Sequence, residues 1–222
     1  MRLPGGRPKQ YVELARRPML WHAVRAVCVP PVAKVFVVLA PEDTRFAEED
    51  WRAFEGSLEP LYCGGRSRRE SVYNGLVAAR DEWDAGDWIL VHDAARPCLA
   101  RHDLEALLAE GARDEIGAIL AVPVAETVKK AGKDEAGGER VISTEDRASL
   151  WLAQTPQMFR AGLLLQALQY ARGPVTDESS AIEQMGLKPR LVVGSRENIK
   201  VTWPEDLALA ESILARRAEP AR

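Results

Sequence analysis

Short runs of aliphatic and β-branched residues alternate with amphipathic stretches along most of the chain. Each run has the length of a buried strand and is followed by polar or turn-forming residues. Between the runs, apolar residues recur at helical spacing, as at Leu104, Leu107 and Leu108. This alternation predicts an α/β fold, with a mostly parallel sheet and helices on both faces. The predicted strands are 34–40, 87–92, 116–122 and 189–193.

Two helix starts have sequence signals of their own. Ser67 and Glu70 have the spacing of a capping box, and they open a helix with an apolar face. Thr202 as a cap, with Pro204 at the first helical position, starts a final helix that extends to about Arg216. Two further segments are predicted to be helical: 163–170 and 177–185.

One segment departs from the alternation. The β-prone runs 124–130 and 139–144 flank a glycine-rich stretch, so they predict a β-hairpin. The hairpin has few large apolar residues, and a two-stranded hairpin is only marginally stable alone. We therefore expect this arm, residues 123–146, to pack on something, and a second subunit is the natural candidate. The pattern equally allows a loosely held surface excursion.

Composition and charge narrow the class of protein. A length of 222 residues suits a single domain over 1–222, and 46% hydrophobic with 28% charged residues excludes wholesale disorder. The net charge of −3 gives no sign of the basic surface of a nucleic-acid binder. Three widely spaced cysteines form neither a disulfide framework nor a metal-binding spacing. With no apolar run near membrane-spanning length and no signal peptide, the predicted location is the cytoplasm.

The first candidate for chemistry directly follows the strand at 87–92. Ligands of open α/β sheets bind beyond the carboxyl ends of the strands. A carboxylate there, Asp93, can hold Mg²⁺ on a nucleotide phosphate, and Arg96 can form a fork onto a second phosphate. The same residues are compatible with a turn in which Asp93 caps amides and pairs with Arg96. His92 is interpreted as a packed residue beside the site.

Two glycine-containing segments are candidates for gripping phosphates. Arg2 and Lys9 are interleaved with glycines near the N-terminus, although a frayed basic terminus has the same pattern. Gly64 and Gly65 precede a helix start that includes Ser71, where free amides can face a ligand. Without other information, the second segment is more typical of a plain capped helix.

Read singly, four further polar residues are more typical of structural roles: Thr127, Arg147, Thr176 and Lys200. Five sequence motifs nevertheless occur together in a fixed order. Because of these motifs and their order, the chain resembles the 2-C-methyl-D-erythritol 4-phosphate cytidylyltransferases of non-mevalonate isoprenoid synthesis. The motifs are 8–11 (PKQY), 91–97 (VHDAARP), 155–157 (TPQ), 176–178 (TDE) and 198–206 (NIKVTWPED). The resemblance implies a Rossmann-like nucleotidyltransferase fold, Mg²⁺, CTP and a homodimer in which the hairpin clasps the other subunit.

The resemblance also implies roles for individual residues. Arg2 and Lys9 correspond to the pair that holds the CTP phosphates and the transition state, and Asp93 to the Mg²⁺ ligand, with Lys200 as a further catalytic residue. The positions that correspond to substrate contacts are Arg96, Thr127, Arg147, Thr176 and Lys200. Those that correspond to CTP-recognition positions are Gly64, Gly65, Ser71 and Ala94. The implied reaction is attack of the substrate phosphate on the α-phosphorus of CTP, for which no protein nucleophile is required.

The chain departs from the family pattern at two places. The family opens with a strand and an Ala-Ala-Gly-x-Gly-x-Arg loop, whereas this sequence starts at the arginine, Arg2. We expect the central first strand and most of the glycine loop to lie upstream of Met1 in a longer natural chain; otherwise the chain is catalytically impaired. Arg66 stands where the family often has an acidic residue beside the base.

Two other functions remain compatible with the sequence. The same cationic residues suit a cytidylyltransferase for another polyol phosphate, such as ribitol 5-phosphate. A truncated, non-catalytic nucleotide-binding protein is the second alternative.

Overall fold

The computed structural model describes residues 8–218. Its ten strands are β1 (Glu13–Leu14), β2 (Arg17–Pro18), β3 (Val35–Val38), β4 (Leu58–Leu61), β5 (Trp88–Val91), β6 (Gly117–Pro123), β7 (Val128–Lys133), β8 (Glu139–Glu145), β9 (Trp151–Arg160) and β10 (Arg190–Val193). The α-helices of the described residues are α1 (Met19–Val27), α2 (Arg68–Ala78), α3 (Arg101–Gly111), α4 (Ala161–Tyr170), α5 (Glu178–Glu183) and α6 (Glu205–Ala218). Among residues 8–218, no helix has the length and apolar character needed to cross a bilayer.

The main sheet has four strands in the order β10-β6-β9-β5. β10 and β6 are parallel, whereas β9 lies antiparallel between β6 and β5. A separate parallel pair is formed by β3 and β4. The predicted α/β class is confirmed, and the sheet is mixed because β9 runs against its neighbours.

The sequence pattern did not predict β9. Its central residues alternate neither by polarity nor by size, since Gln154, Thr155 and Gln157 are as buried as Met158 and Phe159. Buried polar side chains must find hydrogen-bond partners. The Gln157 amide does so by donating to Asp177 Oδ2 at 2.8 Å and accepting from the Ser179 amide at 2.8 Å. A strand whose polar residues are satisfied by tertiary contacts has no hydrophobic periodicity to detect.

Hydrophobic side chains cover both faces of the sheet. On β6, Ala118 and Leu120 pack with Leu107 of α3 on one face. Ile119 points to the other face, where it packs with α2, α4 and α5 in a cluster that includes Phe159. The continuous apolar run at 116–122 therefore reads as a strand because both of its faces are buried.

The two predicted helix starts form with altered caps. Ser67 Oγ accepts the Glu70 amide at 3.1 Å, as predicted, but the Glu70 carboxylate binds the amide of Arg66 at 2.8 Å. The prediction that Thr202 caps the last helix is wrong. Asp206 Oδ2 accepts the amide of Thr202 at 2.6 Å and that of the next residue at 2.8 Å, so a carboxylate inside the helix caps it.

The arm consists of β7 and β8, which pair with each other in an antiparallel register. Asp134 builds its turn by accepting the amides of Ala136 and Gly138. Val141 and Ile142 on β8 are 66% and 65% exposed within this chain. Cover of these side chains by a second subunit stays a prediction.

Two strand edges are open within the described residues. β3 pairs only with β4, and β5 pairs only with β9. Phe36 of β3 and Ile89 of β5 nevertheless pack on one core cluster, while Val35 and Trp88 pack on the cluster of the opposite face. The two sheet fragments therefore share both core layers without a hydrogen bond joining them. A strand added between these two edges would find backbone hydrogen-bond donors and acceptors on both sides.

We expect an upstream extension containing that strand to raise the free energy of unfolding by about 2 kcal/mol or more, because several backbone groups gain hydrogen-bond partners. Urea unfolding of this chain and of a chain extended along its natural reading frame measures the difference. The matched control carries a proline in the middle of the added strand, which removes a donor. Equal stability of all three chains would contradict strand pairing at these edges.

Candidate active site

The candidate site is built around Asp93, which directly follows β5. Its side chain is 11% exposed, and each carboxylate oxygen has a cationic partner. Arg68 Nε donates to Oδ1 at 2.9 Å, and Lys200 Nζ contacts Oδ2 at 2.7 Å. Burial on its own would raise the pKa of Asp93, but the charges of Arg68 and Lys200 outweigh burial and lower it to about 2. Asp93 is therefore an ionised carboxylate at neutral pH.

Arg68 is a site residue that the sequence reasoning missed. It occupies the first turn of α2, and its two terminal nitrogens bind the Glu178 carboxylate at 2.5 and 2.9 Å. Glu178 begins α5, and its side chain is 1% exposed. Burial raises the pKa of Glu178, and the Arg68 guanidinium opposes that effect. One guanidinium therefore joins two carboxylates. In the sequence, Arg68 is simply a charged residue at a helix start, and such a residue gives no signal that its side chain will be partly buried.

A relay of hydrogen bonds orients the backbone at Asp93. His92 Nε2 lies 3.1 Å from the Arg96 carbonyl, which can only accept, so Nε2 carries the proton. His92 Nδ1 then accepts from Thr155 Oγ1 at 3.0 Å, and the hydroxyl in turn accepts the Asp93 amide at 3.0 Å. Burial lowers the pKa of His92 to about 4, which agrees with a neutral ring. His92 is thus a packed residue beside the site, as expected.

Arg96 is engaged by backbone carbonyls. Its side chain is buried, and its terminal nitrogens donate to the carbonyls of Asn198 at 2.6 Å and Ala153 at 3.2 Å. The Asn198 side chain donates to the Thr155 carbonyl at 2.9 Å. These bonds join the Asp93 loop, β9 and the segment that carries Lys200. The two bonds that Arg96 donates use two of its five N–H groups, and its direct contact with a phosphate stays a prediction.

Lys9 shares the electrostatic environment of Asp93 and Lys200. Burial and the positive charge of Lys200 lower the pKa of Lys9, while Asp206 and Asp93 oppose the shift. The neighbouring Tyr11 is buried and donates its hydroxyl to Asp43 at 2.9 Å, which anchors the short turn that carries Lys9. Arg2, the other predicted phosphate ligand, lies outside the described residues.

The glycine segment before α2 is closed by internal hydrogen bonds. The Gly64 amide donates to Leu39 O at 2.7 Å, and a Cβ on Gly64 would lie 2.8 Å from that oxygen. The Gly65 amide donates to Ser71 Oγ at 3.0 Å, and Ser71 Oγ donates to Ser67 O. The amides of these two glycines are therefore already bonded, and a ligand contact by the amides of the helix start itself stays a prediction. Glycine is needed at position 64 for close backbone approach. Ala94 lies partly buried beside Asp93.

The remaining predicted substrate residues are exposed, and the hydrogen bonds that they make are local. Thr127 and Arg147 are exposed at the base of the arm, where Arg147 donates to the Ala125 carbonyl. Thr176 is exposed, and its amide donates to Ser180 Oγ at 3.2 Å. No hydrogen bond or ion pair among residues 8–218 joins these three to the Asp93 cluster. The structure brings together Lys9, Asp93 and Lys200, and leaves the arm residues outside that group.

Asp93 offers a cation one carboxylate, so the other ligands of the cation must come from water or from a bound substrate. The described part of the chain has no cluster of three or more histidine, cysteine or acidic residues that could hold a metal ion. Asp93 is a single, ionised carboxylate already surrounded by positive charge. Mg²⁺ is commonly held by one or two carboxylates together with nucleotide phosphates. A nucleotide-bound Mg²⁺ fits this donor set.

A family model described as 2-C-methyl-D-erythritol 4-phosphate cytidylyltransferase matches residues 1–216. The chain belongs to this family.

Curated relatives with that name include proteins from Nitrosomonas eutropha and Thiobacillus denitrificans. The first is 53% identical over 95% of this chain and 90% of its own length, and the second is 49% identical over 97% and 93%. Among solved structures, a 4-diphosphocytidyl-2C-methyl-D-erythritol synthase superposes with a TM-score of 0.83 at 40% identity. That match covers 93% of this chain and 95% of the other. The Francisella tularensis cytidylyltransferase gives a TM-score of 0.80 at 34% identity, with 94% of each chain covered. The predicted cytidylyltransferase family is thereby confirmed.

In this family member, we expect Thr155→Val to loosen the Asp93 loop. Valine keeps the shape of threonine but leaves the Asp93 amide and His92 Nδ1 without their partner, which costs about 1–3 kcal/mol. Thermal unfolding and nucleotide binding should both weaken. Thr155→Ser, which keeps the hydroxyl, is the matched control and should restore most of the loss. Equal behaviour of the valine and serine variants would show that the hydroxyl is unimportant.

Proposed function

We propose that the chain transfers the cytidylyl group of CTP to 2-C-methyl-D-erythritol 4-phosphate and releases pyrophosphate. The observation that supports this proposal is the buried, ionised Asp93 beside Lys9 and Lys200 in a member of this family. A phosphate oxygen of the substrate forms the new bond to the α-phosphorus, and the bond to the pyrophosphate oxygen breaks. A phosphate monoester is an adequate nucleophile, so the protein acts by positioning and by neutralising charge.

Lys9 and Lys200 provide the positive charge in this mechanism. Negative charge grows on the phosphoryl oxygens as pyrophosphate leaves. Two positioned ammonium groups therefore bind the transition state more strongly than they bind the ground-state substrate. Burial and the positive charge of Lys200 lower the pKa of Lys9, and an anion bound between the two lysines would relieve their repulsion. Arg2 is proposed to act with Lys9 on the triphosphate. Asp93 would hold one Mg²⁺, which when bound supplies further positive charge to the phosphates.

The other proposed contacts surround this centre. Gly64, Gly65, Ser71 and Ala94 are proposed to contact the CTP molecule, and the closed loop at Gly64 and Gly65 supports a shape-determining part for the glycines. Thr176 and Arg96 are proposed near the methylerythritol phosphate. Arg66 stands where the family often has an acidic residue, so no carboxylate is available at this position to recognise the cytosine.

We also propose that the chain acts as a homodimer. Thr127 and Arg147 lie at the base of the arm, where no hydrogen bond or ion pair among residues 8–218 joins them to Asp93, and the arm presents the apolar residues Val141 and Ile142. A second subunit that receives the arm would cover the apolar residues and bring Thr127 and Arg147 to a site. A cytoplasmic location fits CTP as the co-substrate and the three free cysteines.

A pyrophosphate-release assay with CTP, Mg²⁺ and the alcohol phosphate tests the activity. Turnover is expected with 2-C-methyl-D-erythritol 4-phosphate and not with ribitol 5-phosphate; the reverse preference would favour the other polyol phosphate. Calorimetric binding of CTP without pyrophosphate release, in this chain and in one extended upstream, would favour a non-catalytic nucleotide-binding protein.

We expect Lys9→Ala and Asp93→Asn to lower kcat by about 10²–10³-fold, because each removes a charge that acts on the transition state. KM should change less for Lys9→Ala than kcat does. Lys188→Ala, on the turn before β10, removes a lysine outside the site and is the matched control. Full activity in both site variants of a chain with measurable turnover would contradict the assignment.

Subunit mixing tests the shared site. Asp93→Asn and Arg147→Ala are each expected to be nearly inactive as homodimers. In a mixed dimer, the intact Asp93 of one subunit meets the intact Arg147 of the other, so random reassembly should restore about a quarter of the parental activity. No recovery after confirmed exchange of subunits would show that the arm does not complete a partner's site.

A further inference from the structure

Both oxygens of the Asp93 carboxylate already have cationic partners. Arg68 occupies Oδ1 and Lys200 occupies Oδ2. A divalent cation that uses this carboxylate, as the proposed function requires, must therefore displace one of them or share an oxygen with it. The two partners differ in how firmly they are held, and that difference decides which one moves.

Arg68 is held by several contacts. Two of its nitrogens bind Glu178 while the third binds Asp93, so the guanidinium spans two carboxylates with one rigid fork. Glu178 is enclosed at the start of α5, and Arg68 is its ion-pair partner. Withdrawal of Arg68 would leave a buried carboxylate without compensation, which is strongly unfavourable.

Lys200 is held much more loosely. Its ammonium makes one ion pair among the described residues, with Asp93, and its side chain is 49% exposed. It lies between β10 and α6, outside any helix or strand. Lys9 adds a repulsive charge nearby. The flexible stem of a lysine also lets the ammonium move without any shift of the backbone.

We propose that Lys200 is a placeholder for the divalent cation on Asp93, and that Arg68, anchored by Glu178, keeps its oxygen when the cation binds. Lys200 gives up Asp93 Oδ2 to the cation and becomes free to contact a phosphate. Binding of the cation and availability of Lys200 are thereby coupled. Before the cation binds, the Asp93 carboxylate has two ion pairs. Because the pair with Lys200 can be broken, these ion pairs do not prevent the cation from binding.

Mn²⁺ binding measured by electron paramagnetic resonance, with no nucleotide and no substrate, tests the competition. Lys200→Met removes the competitor and should tighten Mn²⁺ binding by about three- to tenfold, since one ion pair no longer has to be broken. Lys188→Met makes the same change in net charge elsewhere and should stay within about twofold of the parent chain. Unchanged or weaker binding in Lys200→Met would overturn the proposal. So would a lack of Mn²⁺ binding in both the parent chain and Lys200→Met at millimolar concentration.

Glu178→Gln provides a change of opposite sign. Without the Glu178 charge, Arg68 has Asp93 as its remaining carboxylate partner, so it should compete better with the cation and weaken Mn²⁺ binding. Thermal unfolding is measured alongside, and a variant that does not fold leaves the lysine comparison to decide. Tighter or unchanged binding in folded Glu178→Gln would contradict the anchoring part of the proposal.

Release of Lys200 can also be followed in the parent chain. Acetylation of lysine amines, quantified by mass spectrometry, should become faster at Lys200 when Mn²⁺ is added, whereas Lys188 should not respond. Equal labelling of Lys200 with and without Mn²⁺ would contradict its displacement. Because neither measurement needs turnover, Mn²⁺-dependent release without pyrophosphate formation would reject the proposed function and leave this inference intact.

Discussion

The site depends on one buried carboxylate that must remain charged. Asp93 loses most of its hydration, and it keeps its charge because Arg68 and Lys200 approach from different elements. The same requirement extends to Glu178, which must balance Arg68. One electrostatic constraint thus joins the end of β5, the start of α2, the start of α5 and the segment before α6. Elements that are distant in sequence are brought together by the need to compensate buried charge.

Hydrogen bonds to backbone groups set the geometry that these charges occupy. His92 and Thr155 hold the Asp93 amide, and Arg96 ties the same loop to the carbonyl of Asn198. Lys200 comes two residues after Asn198, so its position is set by the backbone that Arg96 holds. A neutral His92 suits this part, because a charged ring in the relay would add a second proton and remove the acceptor for Thr155. The charged residues are therefore positioned by hydrogen bonds that hold the backbone of this loop and of the segment before α6.

Sequence reasoning succeeded where burial leaves a local pattern. The run that becomes β6 and the leucines of α3 are apolar because both meet the core, and the motifs around Asp93 and Lys200 contain two residues that the fold pairs with each other. It failed where stability comes from contacts between distant residues. β9 shows no alternation of apolar and polar residues, because its buried Gln157 finds hydrogen-bond partners at the start of α5. The pairing of Arg68 with Glu178 spans 110 positions, and no spacing rule connects residues that far apart.

The arrangement of positive charge gives a reason for the chain to act with another copy of itself. The net charge of −3 conceals a cationic centre at Lys9, Arg68 and Lys200. Arg147 would add to it, but in this chain it bonds to the Ala125 carbonyl at the base of the arm, outside that centre. In the proposed homodimer, a neighbouring subunit would receive the arm, and the exposed Val141 and Ile142 would then lose their contact with water. Association of two subunits through the arm would therefore bury apolar surface and also complete the cationic site.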